Sequence, residues 1–130
     1  MPVILIVEDA ALLRKMLQKI LRAKGYNTLE ASNGREGLEM ITTHNPDCIV
    51  LDLLMPEMEG REVLREMRDR GLQIPTIVMT ADIQETTRSE CLELGALTVL
   101  NKLPKGEELL PWIEKALKVS SEEEIYAIDK

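Results

Sequence analysis

The stretch Asp47-Cys48-Ile49-Val50-Leu51-Asp52-Leu53-Leu54-Met55-Pro56 decides the fold. Ile49, Val50 and Leu51 form a short apolar run, long enough for a strand and too short for a helix of its own. Both faces of the run are apolar, which predicts a strand buried on both sides, as in a parallel sheet. Asp52 closes the run, and Pro56 breaks the chain just beyond it. A carboxylate at the carboxyl end of a central parallel strand stands where open α/β sheets bind their ligands. From this stretch alone Asp52 can equally be a helix or loop cap.

Upstream, Asn45-Pro46 ends a helix that carries Leu38 and Ile41 inward and fades at Thr42-Thr43-His44. Asn33, with Glu36 three residues on, has capping-box spacing for its start. Tyr26 to Ala31 alternates weakly and reads as an edge strand. Val3-Ile4-Leu5-Ile6-Val7 is a second buried strand, ending in Glu8-Asp9. Ala10 to Lys24 then reads as a helix, with Leu12, Leu13, Met16, Ile20 and Leu21 inward and Arg14, Lys15, Gln18, Lys19 and Arg22 outward. Asp9 is placed to cap that helix and Gly25 to stop it.

Downstream, Gly60 opens a helix with Val63, Leu64 and Met67 inward, laced by Glu62, Arg65, Glu66 and Arg70 and ended by Gly71. Pro75 to Met79 is a fourth strand running into Thr80-Ala81. Asp82 and Glu85 repeat the capping-box spacing for a helix ending at Gly95. Leu97 to Leu100 is a fifth strand, running into Asn101-Lys102. A last helix opens at Pro104-Lys105-Gly106 and runs to about Val119, with Leu109, Ile113, Ala116 and Leu117 inward. Five strands alternating with five helices predict an α/β fold: a doubly wound parallel sheet with helices on both faces.

Composition narrows the class. A chain of 130 residues with 45% hydrophobic and 30% charged residues fits one globular domain. The net charge of −7 argues against nucleic acid as a partner. No apolar run approaches the roughly 18 residues of a membrane span, and Met1-Pro2-Val3 has no basic secretory n-region, so the expected location is the cytoplasm. Cys48 and Cys91 match no metal spacing and read as core thiols. Residues 1–119 are expected to form the domain. Residues 120–130 carry four acids and one lysine and form an acidic tail or helix extension. In that tail Ser121 and Glu124 have capping-box spacing, and Ile125 and Ile128 give a short apolar edge.

In a sheet of this kind the strand ends share one rim. The rim then holds Glu8 and Asp9 after the first strand, Asp52 after the third, Thr80 after the fourth and Lys102 after the fifth. Crowded carboxylates repel unless a cation joins them, and Mg²⁺ suits an all-oxygen site with several carboxylates. Each residue alone has a bland role as a cap, turn or surface residue. Five residues of matching chemistry at four separate strand ends outweigh those roles together.

At this point the chain resembles a known family. Glu8-Asp9, the Asp52-to-Pro56 block, Thr80-Ala81, Gly95-Ala96 and Lys102 together resemble the receiver domain of bacterial two-component response regulators, over about residues 2–119. The resemblance, closest in kind to the single-domain chemotaxis regulator, implies a flavodoxin-like five-stranded sheet of strand order 2-1-3-4-5. It implies that Asp52 accepts a phosphoryl group from a histidine kinase or phosphotransfer protein. Glu8, Asp9, Asp52 and the Leu54 backbone carbonyl would hold Mg²⁺. Thr80, the Ala81 N–H and Lys102 would contact the phosphoryl oxygens. Such a domain is a signalling switch rather than an enzyme: it catalyses only phosphoryl transfer to its own Asp52 and hydrolysis from it.

Several positions depart from the family pattern. Val99 stands where an aromatic residue is usual. Leu103 rather than Pro follows Lys102, with Pro104 one place later, so the Lys102–Leu103 bond is expected trans, the cis form costing about 2.5–4 kcal/mol. In the family, the positions that Leu54 and Asp82 occupy here flank the path of hydrolytic water, which an apolar Leu54 cannot orient. An alternative reading keeps the fold as a protein-interaction module that is never phosphorylated. A haloacid-dehalogenase-type phosphatase needs a second Asp where Leu54 stands. A flavin-binding relative needs a phosphate-cradling loop where Glu8-Asp9 would repel the phosphate. His44, at a helix end, reads as solvated. Trp112 borders the inward stripe of the last helix. With Val99 it marks the helix 4/strand 5/helix 5 face expected to engage a downstream partner or a second copy.

Overall fold

Strand β3 (Cys48–Asp52) is buried from end to end and lies at the centre of the sheet. The computed structural model describes residues 2–55, 57–81 and 83–128, with 120–128 as backbone only. Around β3 the chain forms β1 (Val3–Val7), α1 (Ala11–Ala23), β2 (Asn27–Ala31) and α2 (Gly34–His44) before it. After it come α3 (Gly60–Asp69), β4 (Thr76–Thr80), α4 (Glu85–Glu93), β5 (Thr98–Asn101) and α5 (Gly106–Ile128). All strand pairs are parallel, in the order β2-β1-β3-β4-β5, the doubly wound arrangement the sequence predicts.

Alternate residues of each central strand feed two apolar layers. Leu5, Val7, Ile49, Leu51 and Val78 pack with Leu38 and Ile41 of α2, Val63, Leu64 and Met67 of α3 and Cys91 of α4. Ile4, Ile6, Cys48, Val50, Ile77 and Met79 pack with Leu17 and Leu21 of α1 and Leu109, Ile113 and Ala116 of α5. Each large aliphatic side chain buried here contributes about 1.5–3 kcal/mol of transfer free energy. That explains why continuous apolar runs became strands whatever their local propensity. Both cysteines are buried free thiols inside these layers, and burial pushes Cys48 up to about 12.

The helix boundaries follow the caps. Asn33 Oδ1 accepts the Glu36 N–H at 2.8 Å, as its spacing predicts, while the Glu36 carboxylate accepts from the Ser32 hydroxyl at 2.9 Å. Gly25 and Gly95 take φ of 88° and 104° just beyond α1 and α4, a region that favours glycine.

Several expectations need correction. Asp9 does not cap α1: the cap position is Ala10, which has no side chain to offer, and Asp9 is thereby left for the rim. The buried stripe of α1 is Leu17 and Leu21, with Leu13 and Ile20 half-buried; Leu12 and Met16 are 74% and 45% exposed. The helix presents apolar residues on more than half of its circumference, so packing on the sheet, and not the pattern, set its rotation. Arg65 pairs with Glu90 of α4 at 3.6 Å rather than with Glu62, whereas Arg70 and Glu66 do pair, at 3.2 Å. The α4 cap position is Gln84, without a side-chain bond. Helix α5 continues past Val119 to Ile128, so Ser121 starts no new helix. The expected roles of Pro56 and Asp82, and of the side chains of Ser121, Glu124, Ile125 and Ile128, lie outside the described residues.

Candidate functional site

The sheet register brings the strand ends to one level. Val7 pairs with Leu51, Asp52 with Met79, and Thr80 with Asn101. Glu8, Asp52, Thr80 and Lys102 therefore emerge side by side at the carboxyl edge. Asp52 is the last residue of β3 and 1% exposed; Thr80 is the last of β4 and 2% exposed. Asp9 is exposed, as is Ala81. The start of α3 crowds this edge: a Cβ on Gly60 would stand 2.8 Å from the Asp52 carbonyl oxygen and 2.9 Å from Leu53 Cα. Gly60 donates its N–H to the Leu53 carbonyl at 2.8 Å, closing the loop after β3. Only glycine permits so close an approach of a helix to the strand end.

One cation ties the buried acids together. Lys102 Nζ lies 2.9 Å from Asp52 Oδ2 and 2.9 Å from Glu8 Oε1. Burial works against the Lys102 charge, but the Glu8 and Asp52 carboxyls outweigh it and raise the ammonium above its ordinary pKa. Glu8 is wholly buried. That burial, reinforced by the neighbouring Asp52 and opposed by Lys102, pushes its carboxyl up to about 8. Glu8 Oε2 has no hydrogen-bond partner among the described residues. One oxygen each from Glu8, Asp9 and Asp52 lie within 4.8 Å of one another. An all-oxygen cluster with an orphaned buried carboxylate oxygen suits a hard divalent cation, which would neutralise the crowding.

The remaining residues singled out in the sequence fall as follows. The Leu54 side chain is 60% exposed, and its N–H approaches Asp52 Oδ1 at 3.4 Å. Val99 is 2% exposed and sits in the core layer with Cys91 and Ala96, so its side chain contributes no surface, contrary to its expected place on an output face. Trp112 is half-buried against the other layer, with Lys115 Nζ 5.0 Å from its ring centroid. His44 is exposed at the last position of α2. The Lys102–Leu103 bond is cis, not trans as expected. Contacts on both sides fix that corner: Lys102 N–H donates to the Thr80 carbonyl at 2.8 Å, its ammonium is held by two carboxylates, and Pro104 is buried.

The pattern reading missed Arg14, which it placed on the outward face of α1. Arg14 Nη1 donates to the Glu8 carbonyl at 2.8 Å, and its Nε lies 3.5 Å from Glu30 Oε1. No residue pattern signals this role, because the partner is a backbone carbonyl brought within reach by the turn before α1.

Fold and site together define a doubly wound α/β domain with a lysine-bridged acidic cluster at the carboxyl edge of its sheet. The chain belongs to the response regulator receiver domain family, which it matches over residues 4–114. It is 39% identical over 119 residues to the response regulator MprA of Mycolicibacterium vanbaalenii, covering 91% of this chain and 52% of that protein. The chain thus spans about half the length of that relative. Among solved structures it resembles the signal receiver domain of a putative Luxo repressor protein from Vibrio parahaemolyticus, with TM-score 0.92, 25% identity and 96% of each chain covered. It also resembles a CheY-like response regulator receiver domain protein from Methanospirillum hungatei, with TM-score 0.88 and 26% identity over 95% of this chain and 98% of that one. Receiver domains are signalling modules of two-component systems. Among the described residues no helix is long and apolar enough to cross a membrane.

Proposed function

We propose that residues 1–119 act as a phosphorylation-dependent switch whose acceptor is Asp52, with residues 120–130 as an acidic tail, of which 120–128 continue α5. The observation that carries this reading is the Lys102 ammonium held 2.9 Å from both Asp52 and Glu8 at the mouth of the site. Asp52 Oδ attacks the phosphorus of a phosphohistidine on a kinase or phosphotransfer protein. A P–O bond forms, the P–N bond breaks, and the imidazole leaves with the electron pair and takes up a proton. Lys102 stabilises negative charge on the transferring oxygens. The Thr80 hydroxyl and the Ala81 N–H donate to the remaining oxygens. Glu8, Asp9, Asp52 and the Leu54 carbonyl are the residues that would hold Mg²⁺, which when bound supplies charge neutralisation and orientation. Hydrolysis of the acyl phosphate returns Asp52 to its resting state.

The donor needs a surface around the site. Leu12, Leu54, Ile83 and Leu103 are exposed at 74%, 60%, 38% and 46%, and each lies in a segment that follows the carboxyl end of a strand. This apolar ring around a charged mouth supports docking of a protein donor. The face of α4, β5 and α5, carrying Trp112, is the proposed contact for a downstream partner or a second copy. A domain of this kind works in the cytoplasm and needs neither nucleic acid nor membrane contact of its own. Incubation with acetyl phosphate and Mg²⁺, followed by intact mass on wild type and Asp52→Asn, tests the acceptor directly.

A further inference from the structure

The turn between β1 and α1 carries two of the three acids, yet it lacks the capping side chain that usually fixes such a turn, because the cap position is Ala10. Asp9 is exposed and free of that duty. What holds the turn is Glu8 itself, pinned at both of its backbone groups. Its N–H donates to the Ala31 carbonyl of β2 at 3.0 Å, and its carbonyl accepts from Arg14 Nη1 at 2.8 Å.

Arg14 is built for this task. Its backbone N–H closes the first turn of α1 onto the Ala10 carbonyl at 3.0 Å, while its side chain reaches back over that turn to Glu8. The second arm of the guanidinium meets Glu30, which the β1–β2 register places opposite Ile6. The Arg14 side chain is 19% exposed, whereas Lys15 and Lys19 on the same helix are exposed. Its planar fork serves two acceptors at fixed angles, which a single ammonium does less well. Rotation of the Glu8–Asp9 peptide would swing the Asp9 carboxylate away from Glu8 and Asp52, and the bond to the Glu8 carbonyl opposes that rotation.

We propose that Arg14 is a positioning residue of the acidic site: by fixing the Glu8 carbonyl it holds Glu8 and Asp9 in the geometry that receives a divalent cation. The proposal rests on the metal-binding part of the function proposed above. Residues that orient metal ligands from outside typically cost about 10–100-fold in affinity when removed.

The test is a Mg²⁺ titration followed by backbone amide spectra on wild type, Arg14→Met and Arg14→Lys, with melting of each metal-free protein alongside. Arg14→Met weakens Mg²⁺ binding by about tenfold, and its metal-free spectrum changes only near Glu8, Asp9, Ala10 and Glu30. Arg14→Lys recovers part of the affinity, because an ammonium still offers one donor to the Glu8 carbonyl. Mg²⁺ affinity in Arg14→Met within about twofold of wild type, well short of the usual loss, overturns the proposal. So does a loss of affinity accompanied by chain-wide shifts and a lowered metal-free melting temperature, which marks a merely structural residue. A wild type that gives no saturable response to Mg²⁺ removes the metal reading, and the proposal with it.

Discussion

Lys102 and Glu8, from opposite ends of the sequence, meet at 2.9 Å beneath the mouth of the site, with Asp52 at the same distance from the same ammonium. Two buried carboxyls share one cation, so the resting site is balanced only if one acid keeps a proton or a second cation enters. Most of the behaviour expected of this domain follows from that balance.

Removal of the shared cation comes first. Lys102→Ala leaves the Asp52 carboxylate buried beside Glu8 without its ion pair. In the absence of metal the variant loses about 1–3 kcal/mol of stability, the usual penalty for orphaning a buried polar group. Urea denaturation in a chelating buffer measures it. The deficit shrinks when millimolar-range Mg²⁺ is added, since a ligand of the folded state stabilises it by mass action.

The pH dependence has a defined sign. The folded Glu8 carboxyl is raised from 4.5 to about 8. Its contribution to stability is therefore fully present below about 4.5 and is lost as pH rises through about 8. Metal-free protein becomes less stable across that window, and Glu8→Gln flattens the dependence. Mg²⁺ needs the carboxylate, so its affinity rises over the same window and binding releases a proton. Denaturation at a series of pH values, with and without Mg²⁺, checks both slopes.

Helix α4 is the most lightly anchored of the helices with described side chains beyond their caps. Cys91 is its one buried residue. It is otherwise tied by Arg88 Nη1 to the Val99 carbonyl at 3.2 Å and by Glu90 to Arg61 at 3.0 Å and to Arg65 at 3.6 Å. With few buried apolar contacts, its amides exchange with solvent faster than those of α1 or α3. Arg88→Ala speeds exchange in α4 further and leaves α2 unchanged. Hydrogen exchange followed residue by residue reads both effects.

The rotation of α1 is testable by paired truncations. Leu17→Ala, at a position 1% exposed, costs about 2–5 kcal/mol. Leu12→Ala, at a position 74% exposed, changes stability by no more than about 0.5 kcal/mol. Chemical denaturation of the two variants decides between the observed helix face and the one the pattern favoured.

That contrast shows what was legible in the sequence. The strands were, because Val3–Val7, Cys48–Asp52 and Thr76–Thr80 are apolar runs that only burial on both faces accommodates. The acidic rim was legible because its members stand at or just beyond the carboxyl ends of strands. The phase of α1 was not, since Leu12, Met16 and Leu17 are equally apolar and the sheet beneath chose among them. The cis Lys102–Leu103 bond was hidden because the contacts that hold Lys102 come from Thr80, Glu8 and Asp52, all distant in sequence. The role of Arg14 was hidden for a related reason: its partner is a backbone carbonyl, which no residue pattern announces.

The central claim is that Asp52 is the phosphoryl acceptor, and intact-mass measurement after incubation with acetyl phosphate and Mg²⁺ tests it most directly. The account predicts that wild type gains one phosphoryl group, that chelation of Mg²⁺ suppresses the gain, and that Asp52→Asn gains none, because an amide cannot serve as this nucleophile. Equal labelling of Asp52→Asn, or no labelling of wild type with Mg²⁺ present, would contradict it.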